Sequence, residues 1–435
     1  VHATLTHPVV QAECLTAFAE LRKGSDPDGV EIGEGVNHFP PSPDLAQYLS
    51  ALLDRCIRDG TLSAYASPLH TGTRAATAEL LGDHLGLRLD GADIAFTRGG
   101  TEAINLITQH LAATEHGLIL PLPNYYAFDQ SAVRWGAPVT AYYRHDGQCH
   151  PTGAPTPALH CLVEVLPNGI TSTAHTLPDL PEPDFTLVDV PFQLGTSSLP
   201  RILRDRLSQL DLRRAAVILT ASKDLSLPGL RAAAIVTRNT ALLKHLSRDG
   251  FERMAMCGNP LGEIALVLYV SLLRLLDSPE EQTAKLVRTA RETAASAGLP
   301  DLPSTGAHHR IRAHLRRMAA RFQHNAELVT APGSPLRTLP EAQPGAGYST
   351  MTELRQRQPD FLTWVRECGH AGLVLNPTVV HGGTAEAWQA LYPAGQLLRI
   401  NLSTQSERLA GELGLITHHI HARNPCPGAP HNPAR

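Results

Sequence analysis

Neither an excess of one charge nor a membrane-length apolar run marks these 435 residues. Lysine and arginine number 37 against 41 aspartates and glutamates, a formal net charge of −4. That balance offers no electrostatic footprint for DNA or for an anionic membrane surface, so neither nucleic acid nor membrane is expected as a partner. Charged residues make up only 18%, below the roughly 25% usual in soluble domains. The seven cysteines (Cys14, Cys56, Cys149, Cys161, Cys257, Cys368 and Cys426) are odd in number, scattered and never spaced C-x-x-C. They read as reduced thiols in a cytoplasm, not as a disulfide framework or a zinc site. Residues 1–20 have neither a basic start nor a long apolar run, so no signal peptide is expected and the expected location is cytoplasmic. The longest largely apolar stretch, 264–273, is followed by Arg274. It falls far short of the roughly 20 residues a bilayer needs and predicts a buried helix. G-x-S-x-G, a P-loop Gly-Lys-Ser/Thr and H-E-x-x-H are all absent. His418-His419-Ile420-His421 lacks a carboxylate or cysteine at clear ligand spacing, and no metal is expected.

What is present is a globular composition, 43% hydrophobic, in a chain long enough for two or three lobes. The 34 glycines and 34 prolines, about 16% together against an average of about 12%, predict many loops between short elements. Helical spacing runs through 51–87 with a break near 65–73. From residue 93 short apolar runs at 93–97, 116–121, 162–166, 186–189, 216–220 and 233–237 read as buried strands, with helical stretches at 101–112 and 202–212 between them. Such alternation predicts an α/β fold with a largely parallel sheet covered on both faces. Beyond Leu242 the pattern is mostly helical to Ala297, then mixed α and β to a strand-like run at 397–402.

The strongest chemical signal is Thr220-Ala221-Ser222-Lys223-Asp224-Leu225-Ser226-Leu227-Pro228-Gly229-Leu230-Arg231. A lysine directly after a buried strand is costly to keep charged, a useful state for an amine that must attack a carbonyl. The hydroxyls of Thr220 and Ser222 and the guanidinium of Arg231 together suit a phosphate. A surface loop with a solvated lysine is the plainer alternative. Upstream, Arg98-Gly99-Gly100-Thr101-Glu102-Ala103 follows a strand and opens a helix, where backbone N–H groups and a hydroxyl can approach an anion. Asp189 closes another apolar run, where a helix cap is the ordinary role.

The lysine segment, with the order of the surrounding motifs over roughly residues 30–403, resembles the pyridoxal 5′-phosphate (PLP) enzymes of the class I/II aminotransferase type. Its S-K-D-L-x-L-P-G-L-R form is especially similar to the 1-aminocyclopropane-1-carboxylate synthases, and weakly the chain resembles PLP enzymes of lincosamide assembly. The resemblance implies PLP fold type I: a large domain with a mostly parallel seven-stranded sheet, and a smaller α/β domain from both termini. The corresponding divisions are 1–55 and 298–421 for the small domain, 56–297 for the large one, and a flexible tail over 422–435. It implies Lys223 as the amine that holds PLP and Asp189 as partner of the pyridine nitrogen. Gly99, Gly100, Thr101, Thr220, Ser222 and Arg231 would bind the phosphate. Tyr125, in Pro121-Leu122-Pro123-Asn124-Tyr125-Tyr126, is matched to the ring that stacks on the cofactor. In the degraded Leu166-Pro167-Asn168-Gly169-Ile170-Thr171, Asn168 is matched to the donor for the phenolic oxygen, although a one-residue slip places Gly169 there. Tyr65 matches a tyrosine that reaches the neighbouring subunit's phosphate, which implies a homodimer with shared sites. Arg399, with Gly35 and Asn37, would bind an amino-acid substrate, the guanidinium taking the α-carboxylate. Gly345-Ala346-Gly347-Tyr348 is expected to shape the site, and His38 stands near the pocket mouth.

One departure is Phe192, where the family carries a tyrosine. The expected activity is a PLP-dependent aminotransferase acting at Cα of an amino acid. The alternative is a PLP lyase or cyclising enzyme acting on a cysteine S-conjugate or an S-adenosylmethionine-type substrate. Rich Ala, Arg, Pro and Leu usage suggests antibiotic biosynthesis as the setting.

Overall fold

The computed structural model describes residue 19 and residues 22–26, 28–63, 67–145, 148–151, 158–173, 182–194, 199–252, 259–339, 346–377 and 396–423. Tyr65, Gly345 and most of the expected tail, 424–435, lie outside the described residues. Fourteen strands follow in chain order. β1 (Val30–Glu31) comes first, ahead of a run of eight: β2 (Ile94–Thr97), β3 (His116–Pro121), β4 (Val139–His145), β5 (Gln148–Pro151), β6 (Leu159–Val165), β7 (Phe185–Val190), β8 (Ala215–Thr220) and β9 (Ala233–Thr237). The last five are β10 (Leu336–Thr338), β11 (Ser349–Leu354), β12 (Leu373–Val374), β13 (Asn376–Pro377) and β14 (Leu397–Asn401).

β2 to β9 form one sheet in the order β2-β9-β8-β7-β6-β3-β4-β5. β4, β3, β6, β7 and β8 run parallel, while β9 is antiparallel to both of its neighbours, β8 and β2, so β2 points the same way as β8. The seven expected strands are thus joined by a short eighth, β5, which folds back on β4. Every residue of β7, β8 and β9 is buried, which is why those segments read as unbroken apolar runs without alternation. Ile104, Ile107 and Leu111 of the helix Gly100–Ala113 pack with Leu118, Leu187 and Ile218 in one core cluster. On the other cluster lies the helix Pro260–Leu276, buried on nearly every side. It contains the apolar stretch at 264–273, and no described helix is long and apolar enough to cross a membrane.

A second, four-stranded antiparallel sheet has the order β10-β11-β14-β13. β1 pairs with β12, so the chain near residue 30 joins segments beyond residue 370. Ile32 O accepts from Asn401 N at 2.8 Å, which continues that junction towards β14. The helix Ser406–Arg423 extends two residues past the expected start of the tail.

Candidate active site

The carboxyl ends of β3, β6, β7 and β8 open on a cavity of about 490 Å³, closed on the far side by the second sheet and the 34–36 segment. That is where an open parallel sheet leaves room for a ligand. Gly35, Gly100, Thr101, Tyr125, Asn168, Asp189, Thr220, Ser222, Lys223, Arg231 and Arg399 all line it.

At one end, Gly99 adopts φ +88° and starts the helix Gly100–Ala113. A side chain there would be strained, and its Cβ would stand 2.7 Å from Arg231 Nη2. Glycine therefore lets the guanidinium lie against the helix entrance, where Arg231 donates to Arg98 O at 2.9 Å. The N–H groups of Gly100 and Thr101 have no backbone acceptor, as the first turn of a helix must leave them. Thr101 Oγ1 meets the Tyr125 hydroxyl at 3.1 Å. Burial pushes the Tyr125 phenol up to about 12, so it is neutral near pH 7. Thr220 spends its hydroxyl proton on Pro191 O at 3.1 Å.

Asp189, 5% exposed, stands near the end of β7. Among the described residues no hydrogen bond or cation compensates its carboxylate, and burial alone pushes it up to about 7. A buried carboxyl without a partner is costly unless something cationic or proton-donating is placed against it.

Lys223 follows β8 and reaches back across the cavity, donating from Nζ to Gly35 O at 2.5 Å. Asn37 turns away from the cavity. Its amide donates to Lys223 O at 2.7 Å and touches Met318 Sδ at 3.1 Å, so it holds the backbone beneath the lysine. The carboxylate of Asp224 accepts from Gln193 N (2.7 Å), Leu194 N (3.3 Å) and the Tyr269 hydroxyl (2.5 Å). Burial raises Asp224 to about 6 against the pull of those bonds. The lysine turn is thereby tied to the segment carrying Phe192. Asn168 is also engaged by the protein, donating to Pro123 O at 2.9 Å and accepting from Ile170 N at 2.9 Å.

Arg399, on β14, is 7% exposed. Its Nη2 donates to Gly169 O (3.0 Å) and Tyr348 Oη (3.1 Å). Nη1 lies over Gly35, 3.1 Å from where a Cβ would stand. At the mouth, His38 Nε2 is 3.1 Å from the Glu34 carboxylate. Phe192 presents its ring edge to Tyr348, with centroids 5.4 Å apart and planes at 76°. Sequence reasoning placed Tyr348 near the site as a shaping residue but did not find its contacts with Lys223 and Arg399, which join segments far apart in the chain. Asp224 was overlooked as well; its place beside the lysine was the signal available.

The fold has counterparts among solved structures. Residues 27–152 match the family described as Aminotransferase class I and II. The whole chain has the fold of the type I PLP enzymes. It is similar to a mutant aspartate aminotransferase of Thermus thermophilus (TM-score 0.66, 15% identity, covering 94% of this chain and 96% of that one). It is likewise similar to N-succinyldiaminopimelate aminotransferase of Mycobacterium tuberculosis (0.64, 16%, covering 94% and 97%) and to an aminotransferase of Helicobacter pylori 26695 (0.59, 14%, covering 95% and 98%). No curated protein sequence matches the chain. The cofactor of that family is pyridoxal 5′-phosphate, and this cavity fits it. The unpartnered Asp189 suits a protonated ring nitrogen, and the Gly100 helix entrance with Arg231 suits a phosphate.

Proposed function

We propose that this chain is a PLP-dependent aminotransferase acting at Cα of an amino acid. The observation that carries the reading is one cavity that holds the Lys223 amine, the buried Asp189 carboxyl, without a partner among the described residues, and the guanidinium groups of Arg231 and Arg399. Bound there, pyridoxal 5′-phosphate supplies an aldehyde for an amine and an electron sink for charge developing at the substrate Cα. The Lys223 amine would hold the cofactor, and its Nζ would serve as the general base for the substrate Cα proton. Asp189 keeps a proton on the ring nitrogen, at a position where burial makes an unshared carboxylate costly. Arg231, Ser222 and the N–H groups of Gly100 and Thr101 bind the phosphate. Arg399 takes the substrate carboxylate through Nη1, its Nη2 being engaged by Gly169 and Tyr348 and its Nε by Ser349. The carboxylate then sits beside Gly35, which leaves room for it.

A homodimer with shared sites belongs to the same proposal. Leu53 and Ile57 on the helix Pro43–Arg58, with Leu62 beyond it, are exposed apolar side chains close in sequence to Tyr65. A reducing, cytoplasmic location belongs to the same proposal, supported by Cys56 and Cys161, which are buried, free thiols.

The test is to mix the purified, PLP-loaded protein with candidate amino acids and follow the cofactor spectrum. Stoichiometric conversion to the aminated cofactor with release of an oxo acid is expected. Recovery of the starting spectrum with release of a thiol or another leaving group would replace transamination with elimination. Lys223→Ala is expected to abolish both turnover and the absorbance of the lysine-bound cofactor; retention of both would remove Lys223 from its role.

A further inference from the structure

Tyr348 stands where the two sides of the cavity meet, and its ring is 5% exposed. Its hydroxyl donates to Gly35 O at 3.2 Å, the same oxygen that takes the Lys223 amine. It accepts from Arg399 Nη2 at 3.1 Å. Lys223 Nζ is 5.3 Å and Arg399 Cζ 5.7 Å from the ring centroid. The charges that act on the phenol are therefore two cations, one from the turn after β8 and one from β14. The 35 segment offers it a carbonyl, and Phe192 offers only carbon.

We propose that Tyr348 and Lys223 share one proton, making Tyr348 a positioning residue that accepts the proton of the Lys223 ammonium when the amine must be neutral. An N–H bond breaks at Nζ and an O–H bond forms at the phenolate Oη; the return step reverses both, and no further reactant is needed. Burial opposes ionisation of this phenol, but the charges of Lys223 and Arg399 and their hydrogen bonds outweigh it, holding the group below its ordinary value. Moving the proton between the two groups leaves their summed charge unchanged in a desolvated pocket, whereas expelling it to water does not. The same hydroxyl occupies Arg399 Nη2 and so leaves Nη1 to face Gly35.

This inference rests on Lys223 being the reactive amine of the site, and the test separates the two. The full-length chain is titrated with and without PLP, following tyrosinate absorbance, for the wild type, Tyr348→Phe and Lys223→Met. In parallel, acylation of Lys223 in the cofactor-free chain is followed against pH by peptide mass spectrometry. A tyrosinate step below about pH 10 is expected in the cofactor-free wild type. It should be missing from Tyr348→Phe and displaced upward in Lys223→Met, which retains Tyr348 should the phenylalanine variant fold poorly. The pH profile of Lys223 acylation should differ between the wild type and Tyr348→Phe. Superimposable tyrosinate curves with identical Lys223 profiles would overturn the role of Tyr348 while leaving the site intact. A Lys223 that stays inert while other lysines react would overturn the site reading and this inference with it.

Discussion

The side of the cavity built by the large sheet draws Asp189, Thr220 and Lys223 from strand ends or the turns just beyond them, whereas the opposite side assembles Gly35, Tyr348 and Arg399 from three distant segments. On the first side a short stretch of chain carries both the strand and the chemistry, and the parallel sheet aligns the strand ends without further instruction. On the second, each residue depends on pairing of β1 with β12 and of β11 with β14. The side built by the large sheet is consequently local in sequence, while the opposite side is a set of long-range contacts around one tyrosine.

The sharpest way to break this comparison is to remove the charge at Asp189. With the cofactor bound, Asp189→Asn is expected to lower turnover by about 1000-fold, the scale of losing one preorganised electrostatic group, with a smaller change in KM. The same variant has a second readout in the cofactor-free chain. Burial raises the Asp189 pKa in the folded state to about 7, above the unfolded value of about 3.9. Its contribution to stability is therefore full below about pH 4 and is lost as pH climbs through about 7. Asp189→Asn should gain on the wild type over that window, by on the order of 4 kcal/mol, measured by urea unfolding at successive pH values. A wild-type difference that is flat with pH would mean that Asp189 has a partner in solution.

Arg399→Gln attacks the other side. It is expected to reduce kcat/KM about 100-fold, the cost of one charged hydrogen-bonding pair, mostly through KM. An equal loss in kcat alone would place Arg399 in the proton-transfer step instead of in substrate binding. Gly347→Ala probes packing between the two sides, since its Cβ would lie 2.1 Å from Phe192 Cε2. An overpacking cost of about 2 kcal/mol is expected in thermal or urea unfolding. Gly229→Ala, where a new Cβ meets nothing within 4 Å, should stay within about 0.5 kcal/mol of the wild type. If the two alanine variants were equally stable, the join at Phe192 and Tyr348 would be looser than drawn.

Six of the strands from residue 93 to 237 were legible because burial on both faces removes alternation and leaves apolar runs bounded by turns, whereas β4 and β5 at the sheet's far edge were not read. Lys223 and Arg231 were legible together, since a turn after a strand holds both. Asn37 was located near the site, yet its direction was not readable: the side chain supports Lys223 O and Met318 from a segment over a hundred residues away from either. The same holds for Tyr348, whose motif marked a neighbourhood and whose hydroxyl bonds depended on where β14 and the 35 segment came to rest.

By itself, then, the amino-acid order determined six strands of the large sheet, where the glycine turn before the helix Gly100–Ala113 lies and which lysine follows a buried strand, because those depend on neighbours along the chain. Only the tertiary structure decided that Asp189 has no partner among the described residues and that one phenol lies between Lys223 and Arg399. Burial and hydrogen bonding between remote segments exist only after the two sheets have closed around a common space.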